Sequence, residues 1–115
     1  MLYRAKQGDI VWVTLEENQE SQKKQGRRPA LVVSNNTFNG FVKTAAMVCP
    51  ITNSDQGLPI QIKLDDRTST AGVVLCDQAK LVDILESAAE WIEKAPEDIV
   101  LEVVDAICSF IEVEP

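Results

Sequence analysis

Gly26-Arg27-Arg28-Pro29-Ala30-Leu31-Val32-Val33-Ser34-Asn35-Asn36 joins a charged loop to an apolar run that cannot stay exposed. Leu31, Val32 and Val33 are β-formers in succession, the pattern of a strand buried on both faces. Pro29 lacks an N–H and is expected at the first position of that strand. It also biases Arg28 towards an extended backbone. Arg28 is thus expected at the mouth of a rigid element, and Ser34-Asn35-Asn36 form a polar turn at the far end. With Lys23, Lys24 and Arg27, the loop before Pro29 carries four positive charges. A fixed cation at one end of a core strand and amides at the other suggest a site for an anion, although a basic loop also serves solubility alone.

Working outward, Ile10 to Leu15 reads as a buried first strand after the Gly8-Asp9 turn. Residues 16–28 are polar throughout, long for an inert connection and typical of a binding loop. After the core strand at 29–34, a connection from Asn35 to Val42 holds a short helical turn with Phe38 or Phe41 tucked beneath it. A third strand runs from Lys43 to Ile51, with an edge or bulge expected at Pro50. Leu58 to Leu64 alternates apolar and polar residues, as a half-buried strand does. Gly72 to Cys76 is another buried strand, and Asp77 to Val82 alternates enough to be the last.

The period then changes. Pro96 suits a first helical position, and Glu97 and Asp98 place negative charge where the helix dipole favours it. Ile99, Val100, Val103, Val104, Ile107, Cys108 and Ile111 share a face, so a helix is expected over about 96–112. A shorter helix is expected at 86–94, with Ala88, Ala89 and Ile92 inward. Strands first and helices last imply an α+β fold, a small curved antiparallel sheet or barrel with a C-terminal helix packed on it. Trp12, Val32, Val33, Val74 and one face of that helix are expected to form a single core.

The chain has 115 residues, 45% apolar and 25% charged, which suits one domain over 1–115. No apolar run reaches the roughly 20 residues of a membrane span. The N-terminus lacks the apolar stretch of a signal peptide. Cys49, Cys76 and Cys108 are widely spaced in apolar runs, expected as buried inert thiols in a reducing cytoplasm. There is no histidine. Ser-His-Asp and Cys-His nucleophilic catalysis are thereby excluded, and neither a metal site nor a cofactor is expected. Net charge is −7, yet residues 1–82 hold ten basic and eight acidic residues, while residues 83–115 set ten carboxylates against Lys94 alone. The acidity is segregated, so partner chemistry follows local charge. If the strands beginning at Pro29 and ending at Ile51 are neighbours, Arg28 and Thr52 meet at one rim. A guanidinium fork beside a hydroxyl suits a phosphodiester.

Four pieces carry a resemblance to the MazF/PemK family of toxin endoribonucleases from bacterial type II toxin–antitoxin systems. They are Gly8-Asp9-Ile10-Val11-Trp12-Val13, the Gly26–Asn35 stretch with its Arg-Pro-apolar signature, Val48-Cys49-Pro50-Ile51-Thr52, and Gly72-Val73-Val74-Leu75-Cys76-Asp77-Gln78-Ala79-Lys80. The resemblance implies an SH3-like barrel and a homodimer that cleaves single-stranded RNA at short sequences. It implies metal-independent attack by the neighbouring 2′-hydroxyl, with Arg28 and Thr52 as site residues. Lys23, Lys24 and Arg27 are expected to attract RNA, and Asn35, Asn36, Asn53, Ser54 and Gln78 to contact it. A cognate antitoxin with an acidic C-terminal segment is expected to compete for the same groove. The general base is left open: Arg28 stays protonated near neutral pH and Thr52 is a poor proton acceptor. The alternative is a non-catalytic toxin of the same fold acting on a protein target such as a topoisomerase. Such toxins use a C-terminal aromatic segment, which Ile111-Glu112-Val113-Glu114-Pro115 does not match.

Overall fold

A computed structural model of the chain describes residues 2–15 and 26–115. Lys23 and Lys24 lie outside the described residues. The order of elements is β1 (Asp9–Thr14), β2 (Arg27–Val32), α1 (Asn36–Val42), β3 (Ala45–Thr52), β4 (Gln61–Lys63), β5 (Val73–Leu75), a 3-10 turn at Cys76–Gln78, β6 (Lys80–Asp83), β7 (Glu90–Lys94) and α2 (Glu97–Phe110). The fold is α+β. All strand pairs are antiparallel, along the path β4-β5-β3-β2-β1-β7, with β6 also on β3. Among the described residues no ladder joins the two ends of that path.

Strand alternation sends apolar side chains to both faces of the central strands, so there are two cores and not the single one expected. Ile10, Leu31, Cys49, Ile51 and Val74 meet Ile99 and Val103 of α2 on one face. Val11, Val13, Ala30, Val32, Ala46 and Val48 form the other. Trp12 is not part of either: its cross-strand neighbours are Pro29 and Glu90, and it stays 42% exposed. The α2 residues cluster with Ile10 and leave this end of β1 uncovered.

Four further expectations need correction. Residues 86–94 are not helical. Hydrogen bonds from the Ser87 N–H to the Asp83 carbonyl and from the Ala89 N–H to the Ile84 carbonyl close a turn there. Ala88 adopts φ 53, which ends any right-handed helix, and Glu90–Lys94 then pairs with the edge of β1. In α1 the buried side chain is Asn39, held by two hydrogen bonds with Ser34, while Phe38 and Phe41 are exposed. Pro29 is the third residue of β2, not its first. Pro50 is neither edge nor bulge but a buried, regularly paired member of β3. The Val33 N–H bonds the Met47 carbonyl, which makes Ala30 and Pro50 a non-hydrogen-bonded pair by alternation. The missing N–H of Pro50 thus faces away from β2. On that side β3 passes from β6, paired up to Val48, to β5, paired from Ile51.

The helix at the C-terminus matches its expected span closely, with Pro96 as N-cap. Ile99 and Val103 are buried, but Cys108 and Ile111 are exposed, contrary to expectation. Burial pushes the Cys49 thiol up to about 12 and the Cys76 thiol up to about 11. Alkylation of the native protein near neutral pH is therefore expected to modify Cys108 alone, with Cys49 and Cys76 reacting on denaturation. Mass spectrometry checks this, and early labelling of Cys49 would contradict the packing of β3.

At the start of β1 the buried Asp9 carboxylate is satisfied by the Tyr3 hydroxyl, the Lys6 N–H at 3.1 Å and the Lys94 ammonium at 2.9 Å. Burial, reinforced by that carboxylate, holds the Tyr3 phenol far above its ordinary pKa. The loop after β4 is fixed by acids too. Glu93 on β7 accepts the Ser69 N–H at 2.9 Å, the Thr70 N–H at 2.8 Å and the Thr70 hydroxyl at 2.7 Å. Desolvation raises the Glu93 pKa, but these donors outweigh it and the net shift is downward. A depressed carboxylate stabilises the fold above its ordinary pKa of about 4.3 and loses that contribution as pH falls through its lower folded value. The Ser69 and Thr70 amide resonances should titrate with a midpoint below the ordinary one. A midpoint at or above it would mean that these bonds do not hold the loop in solution.

Candidate active site

β2 and β3 pair with Ala30 opposite Pro50. Continuing that register by two residues sets Arg28 opposite Thr52. The pair is of the non-hydrogen-bonded kind, in which Cα atoms come to about 4.5 Å and side chains are closest. Both side chains therefore leave one face of the sheet together. Neither Arg28 nor Thr52 is fully exposed. The Thr52 hydroxyl accepts the Ser54 N–H at 3.2 Å in a local turn, which leaves its proton and a second lone pair for another partner.

Thr52 is also cross-strand to Val73 of β5. The backbone just before β5 must come very close to Thr52, and Gly72 permits that. A Cβ on Gly72 would lie 2.3 Å from the Thr52 carbonyl oxygen, and its φ is +122°. Only glycine satisfies both conditions. Beyond β5, a cavity of about 240 Å³ opens beside Thr52, lined by Ser54, Gln56, Gln61, Asp77 and Gln78 among others. Asp77 is the one ionisable group among the described residues that line it. The 3-10 turn at Cys76–Gln78 places it there, with buried Cys76 as its anchor.

The structure thus gathers Arg28, Thr52, Ser54 and Gln78 at one end of the sheet, with exposed Asn53 between Thr52 and Ser54. It does not bring Asn35 and Asn36 there. These follow β2 at its opposite end, about 23 Å from Arg28 at a strand's rise per residue. Asn35 caps α1 by accepting the Phe38 N–H at 2.9 Å, and Asn36 accepts the Gln7 N–H at 2.8 Å. Arg27 leaves the sheet on the face opposite Arg28. It forms an ion pair with Glu90 at 2.5 Å and donates to the Ala88 carbonyl at 2.9 Å. Sequence reasoning overlooked Asp77 as a site carboxylate, because its placement depends on the turn that follows β5. It also overlooked Lys63. This residue is cross-strand to Val73, in the row of Arg28 and Thr52, and is 3.7 Å from the Asp55 carboxylate. Among the described residues no three acidic or cysteine side chains group into a metal-ligating set.

The PemK-like, MazF-like toxin family of type II toxin–antitoxin systems matches over residues 6–111. The chain belongs to this family. Endoribonuclease PemK from Escherichia coli is 28% identical over 105 residues, 88% of this chain and 78% of that protein. MazF from Deinococcus radiodurans superposes with a TM-score of 0.82 at 33% identity, covering 95% of this chain and 97% of that one. MazF in a MazE–MazF complex from the same organism gives 0.80 at 32% identity, over 95% and 96% of the two chains. The Arg28–Thr52 rim and the Gly72–Lys80 segment fall within the matched span of this MazF/PemK chain.

Proposed function

We propose that this MazF/PemK-family protein is a toxin endoribonuclease that cleaves single-stranded RNA at short sequences without a metal. The reading rests on the Arg28–Thr52 pair, set opposite each other when the β2–β3 register is continued two residues past Ala30–Pro50, beside a cavity with one carboxylate. In this reading Arg28 holds two non-bridging phosphate oxygens through its planar fork. Thr52 orients the phosphate. Asp77 accepts the proton of the 2′-hydroxyl as its oxygen bonds to phosphorus. The bond to the 5′ oxygen breaks, that oxygen takes a proton from solvent, and the products are a 2′,3′-cyclic phosphate and a 5′-hydroxyl. Substrate supplies the nucleophile, so a chain without histidine suffices for the reaction. The working unit is a homodimer in a closed barrel form, with RNA in a groove across both subunits and the acidic segment of a cognate antitoxin competing for it. Exposed Leu101 and Ile111 on and after α2 are the kind of apolar surface that a second subunit covers.

Incubating the protein with mixed single-stranded RNA in excess chelator tests this. Cleavage at discrete sites, with cyclic-phosphate ends, is expected. Intact RNA together with inhibition of a topoisomerase would favour the non-catalytic alternative.

A further inference from the structure

The candidate active site occupies one end of the sheet. At the other end is a second cavity, of about 300 Å³, which the cleavage step does not use. Arg4, Lys6 and Lys43 line it with Asn36, Asn39 and Thr44, and no carboxylate is among its described lining residues. Arg27, Lys63, Arg67 and Lys94 each pair with an acid, whereas Arg4, Lys6 and Lys43 form no ion pair among the described residues. In a chain of net charge −7, three uncompensated cations around one concavity form a local field that attracts anions. The frame beneath them is firm. Asn39 is buried and doubly bonded to Ser34, and its carbonyl accepts the Lys43 N–H at 2.9 Å.

We propose that this cavity is a second phosphodiester subsite, which holds the RNA strand several nucleotides from the bond that is cut. This inference rests on the RNA-cleaving reading above. Ala45 in the cavity wall opens β3 and Thr52 closes it, so the two sites are about 23 Å apart along one strand. An RNA that reaches both must extend well beyond the cleaved step. The apolar part of the lining is Leu2, Ala5 and Ala45, too little to anchor the side chains of a peptide. The cations, an amide and a hydroxyl match a sugar-phosphate backbone instead.

The test compares the parent with Arg4→Gln/Lys43→Gln on two RNAs. One is trimmed to the cleaved step and its immediate neighbours, and the other is extended by about ten nucleotides on each side, a length within the range that small β-barrels hold. Both substituted side chains are exposed, so the variant should melt like the parent. The KM for the long RNA should rise roughly tenfold, while kcat on both RNAs and KM on the short one stay unchanged. Loss of two single-strand phosphate contacts should also shrink the rise in KM between 50 and 200 mM salt by roughly sevenfold. Lys43→Glu should raise the long-RNA KM further. An unchanged KM for the long RNA, or an equal loss on the short one, overturns the proposal. So does a loss confined to binding of an acidic antitoxin segment. If the parent cleaves neither RNA, the catalytic reading fails; equilibrium binding of the two RNAs to both proteins then decides the subsite by itself.

Discussion

Arg28→Ala is expected to lose at least about 10²–10³ in cleavage rate while folding like the parent. The argument is geometric. Arg28 leaves the same face as Thr52, from a strand locked between β1 and β3, with Val13 as its partner in β1. As the 2′-hydroxyl attacks, negative charge grows on the phosphate oxygens, so a fixed guanidinium binds the transition state better than the ground state. Arg28→Lys should recover only part of the loss, because an ammonium cannot meet two oxygens in one plane. Thr52→Ala should lose less, since water replaces a small hydroxyl in part. Arg27 is the internal control. Its guanidinium is on the opposite face, paired with Glu90 and the Ala88 carbonyl. Arg27→Ala should therefore stay within about tenfold of the parent, or about 1.4 kcal/mol of barrier. Its partly exposed ion pair contributes at most about 1 kcal/mol to stability. Single-turnover cleavage at saturating RNA separates the two arginines. A dead Arg27→Ala beside an active Arg28→Ala would move the site to the other face of β2.

Gly72→Ala is the second large effect, and it acts through the backbone. The new Cβ would lie 2.3 Å from the Thr52 carbonyl oxygen and 2.9 Å from its carbon. Neither is a flexible side chain, so β5 must move off β3 where Thr52 is held. The φ of +122° adds strain for any residue with a Cβ. Destabilisation on the order of 3 kcal/mol is expected, together with a loss of cleavage in the fraction that remains folded, because Thr52 is displaced. Gly40→Ala is the matched control: nothing lies within 4 Å of its added Cβ, and it is inside α1. It should be neutral or stabilising by up to about 1 kcal/mol. Thermal melts of both variants check the pair. A Gly72→Ala protein that melts with the parent would mean that β5 does not approach Thr52 this closely.

Local chemistry in the chain determined a good deal about this protein. The Arg-Pro-apolar run specified a buried strand with Arg28 at its mouth, because proline and β-branched residues restrict the backbone without outside help. The spacing of Ile99, Val103 and Ile107 specified α2, because a helix of that length shows its period in its side chains. The apolar run from Gly72 to Cys76 marked a further buried strand, but that Gly72 lets it close on the Thr52 carbonyl was decided by the fold. Lack of histidine narrowed the chemistry before any fold was known. What tertiary structure alone decided was pairing. Residues 86–94 have Ala88, Ala89 and Ile92 at helical spacing, yet the free edge of β1 draws Glu90–Lys94 into the sheet. Pro50 reads as a strand breaker, but its missing N–H falls where β3 changes partners. Trp12 reads as core and remains exposed, because which end of β1 α2 covers depends on packing between distant segments. The separation of Arg27 from Arg28 and the arrival of Asp77 beside Thr52 depend on register across strands. So does the placing of Asn35 and Asn36 at the far end of the sheet. Register joins residues tens of positions apart, and no local preference of either partner encodes it.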